Sequence, residues 1–442
     1  MSVSEFDLVV RSRRVVLPDG ERALTVAVRD GRIAALAGYH EPPPARETVD
    51  LGEVALLPGL VDTHVHVNEP GRTHWEGFAS ATRAAAAGGV TTIVDMPLNS
   101  LPPTTTVYAL EIKKKAAEGQ CHVDVGFWGG AIPANLDALE PLLAAGVFGV
   151  KCFLSPSGVD EFPALDPDQL IKAMRRLATL DGLLIVHAED PATLTDPLGP
   201  TYPEFLDSRT QDAELRAVER VIDAAVLTGC RAHIVHISAG SCVEPLRRAQ
   251  QSGIRVTAET CPHYLTLSAE DVTSPAFKCC PPIRESTNRD TLWHGLATGT
   301  LMGIVSDHSP CPADLKGLTT HDYTSAWGGI ASLQLGLPII WTEALSRGYG
   351  LPDVAKWMST APAALVGLPT KGTITIGNDA DLVAFDPTGK FTVNATKLHH
   401  KNPVTPYDGH KLTGIVQTTW LRGQTIDAQA QGQFLFSPHH QS

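Results

Sequence analysis

Eight short apolar runs recur between residues 60 and 307 of this 442-residue chain, and stretches with helical spacing separate them. They are "LVDTHVHV" at 60, "TTIVDM" at 91, "VDVGFW" at 123, "VFGVKCFL" at 147, "LLIVHA" at 183, "AHIVHI" at 232, "RVTAET" at 255 and "LMGIVSD" at 301. Continuous hydrophobicity marks strands buried on both faces, as in a parallel sheet, and alternation with helices builds parallel βα units. Intervening segments such as "EGFASATRAAAAGG" and "ELRAVERVIDAAVLTG" finish on glycine, a common helix terminator. Eight such units predict an α/β fold closed as a (β/α)8 TIM barrel, whose chemistry sits at the C-terminal ends of the strands.

The two ends of the chain have another texture. Residues 1–55 read as short strands broken by the turns "PDGE" and "RDGR", followed by a Pro-rich connection, "EPPPARE". Residues 368–442 hold "GTITIGNDADLVAFDP" and "LTGIVQTTWLRGQTID", again strands broken by Gly and Asp. The expected organisation is a barrel over 56–367 and a small β-sandwich domain built from both ends. The formal net charge of −13 argues against a nucleic-acid surface, and no apolar run approaches a membrane span or a secretory signal, so a cytoplasmic location is expected. The eight cysteines form no C-x-x-C pair and read as reduced thiols; adjacent Cys279 and Cys280 read as small buried hydrophobes near a turn.

The polar residues that end the runs are coherent: His64 and His66 on the first, Lys151 on the fourth, His187 on the fifth, His236 on the sixth and Asp307 on the eighth. Residues i and i+2 of a strand point the same way, so His64 and His66 project together into the barrel mouth. Imidazole nitrogen with carboxylate oxygen suits Zn²⁺, Fe²⁺, Co²⁺ or Mn²⁺ rather than Mg²⁺ or Ca²⁺. Lys151 as a plain ammonium would repel a metal ion and offers no lone pair. Carboxylated by CO2 it becomes an anionic oxygen donor able to bridge two ions; left as an amine it would snorkel to the rim. His122, His294, His399, His400, His439 and His440 fall at no strand end and are assigned to surface or packing, and His233, three residues before His236, to a structural role.

"DTHVH", "GVKCF", "IVHAED", "HIVHIS" and "SDHSP", in this order, resemble the amidohydrolase superfamily, specifically its cyclic amidohydrolases, over nearly the whole chain. The resemblance implies that His64, His66, Asp307 and carboxylated Lys151 (N6-carboxylysine) bind one of two divalent transition-metal ions, most simply zinc. His187, His236 and the same carbamate would bind the other. It also implies hydrolysis of a cyclic amide by an activated water, with Asp307 as general base and then acid, in a homotetramer acting on a small cyclic ureide.

Within that group, the dihydroorotase type places an arginine where this chain has Asn68, and the hydantoinase and dihydropyrimidinase type a tyrosine where "KCFLSPSG" has Phe153 and Ser155. "HVNEPGRTHWEGF", "DMPLNSLPPTT", "KCFLSPSGVDEFP", "SDHSPCPADLK" and "AWGGIASLQLGLP" are similar instead to the allantoinase type, which opens a neutral ureido-substituted hydantoin in purine catabolism. Asn99, Ser155, Ser309 and the backbone at Gly328 and Gly329 are the expected substrate contacts. "DSRTQDAE", where many relatives have Ser-Arg-Pro, is expected to lie away from the chemistry. Other cyclic ureides are the alternative substrates, and a non-catalytic scaffold of the same fold is the remaining alternative.

Overall fold

The computed structural model describes residues 6–437, so His439 and His440 lie outside the described residues. Every one of the eight apolar runs supplies a barrel strand. Before them come β1 (Phe6–Leu17), β2 (Gly20–Arg29), β3 (Arg32–Gly38), β4 (Ala45–Asp50) and β5 (Ala55–Pro58). The barrel is β6 (Leu60–Val65), β7 (Val90–Asp95), β8 (Asp124–Phe127) with its short continuation β9 (Gly129–Gly130), β10 (Val150–Phe153), β11 (Leu183–His187), β12 (Arg231–Ile234), β13 (Val256–Thr260) and β14 (Gly303–Ile304). These pair in parallel as β6-β7-β8 and β9-β10-β11-β12-β13-β14. The bond from Phe148 N to Phe127 O (3.0 Å) joins the two arcs on one side, and the parallel bridge between Val65 and His308 joins them on the other. Among the described residues no helix is long and apolar enough to cross a membrane.

The last barrel strand is the shortest because the chain leaves the ladder early. Ser306 N donates to the Asp62 carboxylate (3.1 Å) instead of to a neighbouring strand, and Asp307 then adopts φ 44°. His236 makes the same departure after β12, at φ 43°. Left-handed backbone is unfavourable for residues with a Cβ, and it aims both side chains into the mouth.

The ends of the chain build one eight-stranded mixed sheet, ordered β17-β16-β15-β5-β1-β2-β3 with β4 beside β1, where β15 is Leu382–Thr392, β16 Lys411–Leu421 and β17 Gln424–Thr425. It closes over its own core, which includes Val10, Val26, Leu56, Leu382 and Trp420. Three expectations need revision. The "EPPPARE" connection ends inside β4, which pairs in parallel with β1. The domain extends past residue 55, because β5 pairs with both β1 and β15. "GTITI" forms no strand: of its two isoleucines only Ile374 is buried while Ile376 is 59% exposed, and the turn it makes leads into β15. The segment 432–437 returns to the barrel, where Gln433 O accepts from Val125 N (2.9 Å) and Leu435 N donates back to Val125 O (2.9 Å).

A buried charge cluster locks the two domains. Lys371 Nζ lies 2.7 Å from Asp124, at the start of β8, 2.7 Å from Asp381 beside β15, and 3.2 Å from Asp379; Arg422, after β16, also reaches Asp124 at 2.7 Å. Lys371→Met leaves the Asp381 carboxylate buried without its cation, so urea unfolding is expected to show a loss of about 3–5 kcal/mol. A loss below about 1 kcal/mol, the range of an exposed pair, would show that Lys371 is not what joins the domains.

Candidate metal centre

Strand ends bring the six sequence-selected donors to one mouth. His64 Nε2 lies 3.1 Å from Asp307 Oδ1 and 3.2 Å from Lys151 Nζ, and His66 Nε2 lies 3.5 Å from the same Asp307 oxygen. His64, His66 and Asp307 form a compact group of buried ligand atoms. Opposite them, His187 Nδ1 and His236 Nε2 face each other at 2.9 Å. All six residues are buried. The His64 and His66 rings sit 5.6 Å apart, as i and i+2 geometry requires. Lys151 is the second residue of β10, with Phe153 two further along the same face and its ring 5.1 Å from the Lys151 amine.

Burial sets the protonation of these groups. It lowers the His66 imidazole to about 3, takes His236 well below its usual range and brings the Lys151 amine down to about 8. His64 goes the other way: burial and Lys151 oppose its charge, but the Asp307 and Glu259 carboxylates outweigh them.

Behind the donors stands a layer of carboxylates that reading strand ends for metal ligands did not select. Glu259 in β13 takes His64 Nδ1 on one oxygen (3.0 Å) and His233 Nε2 on the other (3.0 Å), while His233 Nδ1 pairs with Thr257 (2.8 Å). The structural role expected of His233 is thus to hold the carboxylate that holds His64. Glu189 Oε2 lies 2.8 Å from His187 Nε2. Carboxylates that fix the outer nitrogen of an imidazole and leave the inner one free are the usual support of metal-binding histidines. Four imidazoles, an amine and a carboxylate oriented in this way fit divalent transition-metal ions. Glu189 follows from period-2 spacing, two residues after His187, and Glu259 is marked by its place near the end of the seventh run.

The mouth opens into a cleft of about 470 Å³ lined by His66, Lys151, His187, His236 and Asp307, with His64 fully buried beneath. Asn99, Ser309, Gly328 and Gly329, the candidate substrate contacts, line it, and Asn99 Nδ2 lies 3.4 Å from His66 Nδ1. Ser155 is not among the lining residues; it is buried with its hydroxyl unpaired. Asn68 faces the wall too, donating to Pro310 O at 3.4 Å from a left-handed backbone (φ 65°). Phe153 stacks on the His187 ring at 4.5 Å. Lys316 is buried and donates to the carbonyls of Lys278 (2.8 Å) and Trp327 (3.0 Å) and to that of Gly329, which ties down the rim beside the glycines.

Two expectations are overturned here. "DSRTQDAE" does reach the cleft, since Ser208 and Arg209 line it and Arg209 Nη1 donates to Glu189 at 2.6 Å. The helix Tyr202–Ser208 ends there and turns Arg209 inward. Cys280 lines the cleft as well and is only partly buried, although all eight cysteines are free thiols and Cys279 is buried. Lys278 is a second lining cation that spacing did not mark.

Comparison with known proteins agrees with this geometry. The model of the amidohydrolase family matches residues 55–426. The allantoinase of Streptomyces avermitilis is 54% identical over 438 residues, covering 98% of this chain and 97% of its own. That of Saccharomyces cerevisiae is 46% identical over 388 residues, covering 85% and 84%. Among solved structures, the L-hydantoinase (dihydropyrimidinase) of Arthrobacter aurescens superposes with a TM-score of 0.93 at 30% identity over 98% of this chain and 100% of that one. The chain belongs to the amidohydrolase family, in the group of the curated allantoinases.

Proposed function

We infer that this protein opens the hydantoin ring of allantoin by hydrolysis of its cyclic amide bond to give allantoate, a step of purine catabolism. The observation that carries this reading is 54% identity to a curated allantoinase over almost the full length of both chains. Other cyclic ureides are the second reading, favoured by the backbone likeness to a hydantoinase at 30% identity. The scaffold reading has no support in a mouth that keeps all six donors.

His64, His66, Asp307 and Lys151 would hold one divalent ion, zinc in the simplest case or iron, cobalt or manganese, and His187, His236 and Lys151 the second. Bound there, such ions supply Lewis acidity towards the amide carbonyl and acidify water to near neutrality. Lys151 suits the shared position because its amine, lowered to about 8, is partly neutral at physiological pH. The neutral Nζ attacks CO2, an N–C bond forms, one proton leaves, and the resulting carbamate presents anionic oxygens. Asp307 is lowered well below the usual carboxylate range by His64 and His66 despite its burial, so it is ionised and ready to accept the proton of the attacking water on its carboxylate. The same group returns the proton to the ring nitrogen as the amide bond breaks. Asn99, Ser309 and the backbone at Gly328 line the cleft where a neutral ring would need amide-matching hydrogen bonds, while the Gly329 N–H already donates to Lys278 O at 2.9 Å. A cytoplasmic homotetramer completes the reading.

Metal-reconstituted protein, assayed in parallel against allantoin, dihydrouracil, hydantoin and dihydroorotate, is expected to turn over allantoin best and to lose activity in chelator. Vigorous turnover of dihydrouracil with none of allantoin would replace this substrate with the second reading. Lys151→Ala is expected to lose bound metal and activity together, with partial rescue by short carboxylic acids; full activity without rescue would remove the carbamate from the site. Asp307→Asn is expected to lower kcat by about 10²–10⁴-fold with the fold intact by circular dichroism. Near-wild-type turnover would exclude it as the proton carrier.

A further inference from the structure

A second cluster of metal-ligand types stands against Asp307. The Cys261 sulfur, one ring nitrogen of His263 and a carboxylate oxygen of Asp307 all lie within 4.8 Å of one another, and all three residues are buried. Cys261 follows the last residue of β13, and His263 is the second residue of the helix Pro262–Thr266. The chain turns from strand to helix at Pro262, which brings both side chains to the same carboxylate. Neither belongs to the six-donor set.

Cys261 and His263 are not spent on the fold. Neither ring nitrogen of His263 has a hydrogen-bond partner among the described residues, although the side chain is fully buried. Native interiors leave few such groups unpaired. The Tyr264 ring packs 4.2 Å from the imidazole, but its hydroxyl is taken by the Pro281 carbonyl at 2.7 Å. Cys121 and Cys230 donate their thiols to carbonyls at 3.4 and 3.3 Å, whereas Cys261 has no such acceptor among the described residues. Asp307 turns Oδ1 to His64 and His66, and a carboxylate has a second oxygen to give. The surroundings suit a cation, since the Asp307, Glu259 and Asp62 carboxylates all act on the Cys261 thiol.

We propose that Cys261, His263 and Asp307 form a further transition-metal site, selective for thiophilic ions such as Zn²⁺, whose filling draws Asp307 away from the centre it serves. Ligands of one tetrahedral zinc stand roughly 3.5 Å apart, so small side-chain rotations close the cluster around an ion, with water as the fourth ligand. On binding, the Cys261 S–H bond breaks, the sulfur lone pair forms the bond to the ion, and the proton leaves to solvent. Thiolate with imidazole selects zinc or cadmium over manganese, which prefers oxygen. The site itself is independent of the substrate; only its inhibitory effect rests on the reading of Asp307 as the proton carrier.

The test compares wild type, Cys261→Ala and His263→Gln, with Cys280→Ala as a control for the thiol that lines the cleft. Elemental analysis after zinc saturation and desalting is expected to find one equivalent more in wild type and Cys280→Ala than in Cys261→Ala. Cadmium is expected to give the ultraviolet charge-transfer band of a thiolate complex in wild type and Cys280→Ala, and none in Cys261→Ala. In His263→Gln the cadmium concentration that gives half of that band should rise at least about 10-fold. Each protein's rate is compared with its own rate before zinc is added: half-inhibition of Cys261→Ala should need about 10-fold more zinc than that of wild type, and added manganese should inhibit neither. No cadmium band in wild type, a band that survives in Cys261→Ala, or equal zinc in those two proteins overturns the site. Should Cys261→Ala not fold, wild type against His263→Gln decides, since an unshifted cadmium titration overturns the site by itself. An extra zinc bound without inhibition overturns the hold on Asp307. Wild type that opens no allantoin overturns the substrate reading instead, with zinc content and cadmium band untouched.

Discussion

Four imidazoles, an amine and a carboxylate buried within a few ångströms of one another form the constraint around which this molecule is arranged. Such a group is unfavourable in a dry interior unless its members are neutral or paired. Burial lowers His66 to about 3 and Lys151 to about 8 and takes His236 well below its usual range, so the groups lean towards the forms that carry a free lone pair. At His66, His187 and His236 the low dielectric thereby favours the deprotonated form that metal binding demands. What remains charged is matched from behind, where Glu259 serves His64 and His233, and Glu189 serves His187 and Arg209.

The second layer extends the same logic outward. His233 and Thr257 fix Glu259, Arg209 fixes Glu189, and Arg284 fixes the Arg209 carbonyl while its own guanidinium pairs with buried Glu214 at 2.8 Å. Lys316 performs the corresponding task for the rim with carbonyl oxygens alone. His64 and His187 are thus held by groups that are themselves held, which keeps that part of a polar centre rigid enough to work.

The barrel was legible because burial on both faces writes a strand as an unbroken apolar run, and all eight runs became strands. The meeting of the six candidate donors at one mouth was legible because they end those runs. Arg209 was not, since it stands after the helix Tyr202–Ser208 and no periodicity marks where a helix end points its last side chain. Ser155 stands apart for the opposite reason: it sits beside key residues in the chain, yet it does not line the cleft and its hydroxyl is buried. The left-handed backbone of His236 and Asp307 also left no mark, because glycine, its usual sign, is absent there.

The return of residues 432–437 to the barrel has a bearing on how the chain is made. Val125 in β8 meets Phe434 as a parallel bridge, and the neighbouring bond from Gln433 N to Asp124 spans 309 residues of sequence. Until that distant segment has been synthesised, the lower edge of the third strand has bare amides and carbonyls and nothing to pair with. At about 5–20 residues per second the wait lasts roughly 15 to 60 s. Unpaired strand edges recruit other chains, so for that interval this edge stays open to pairing that the finished fold forbids.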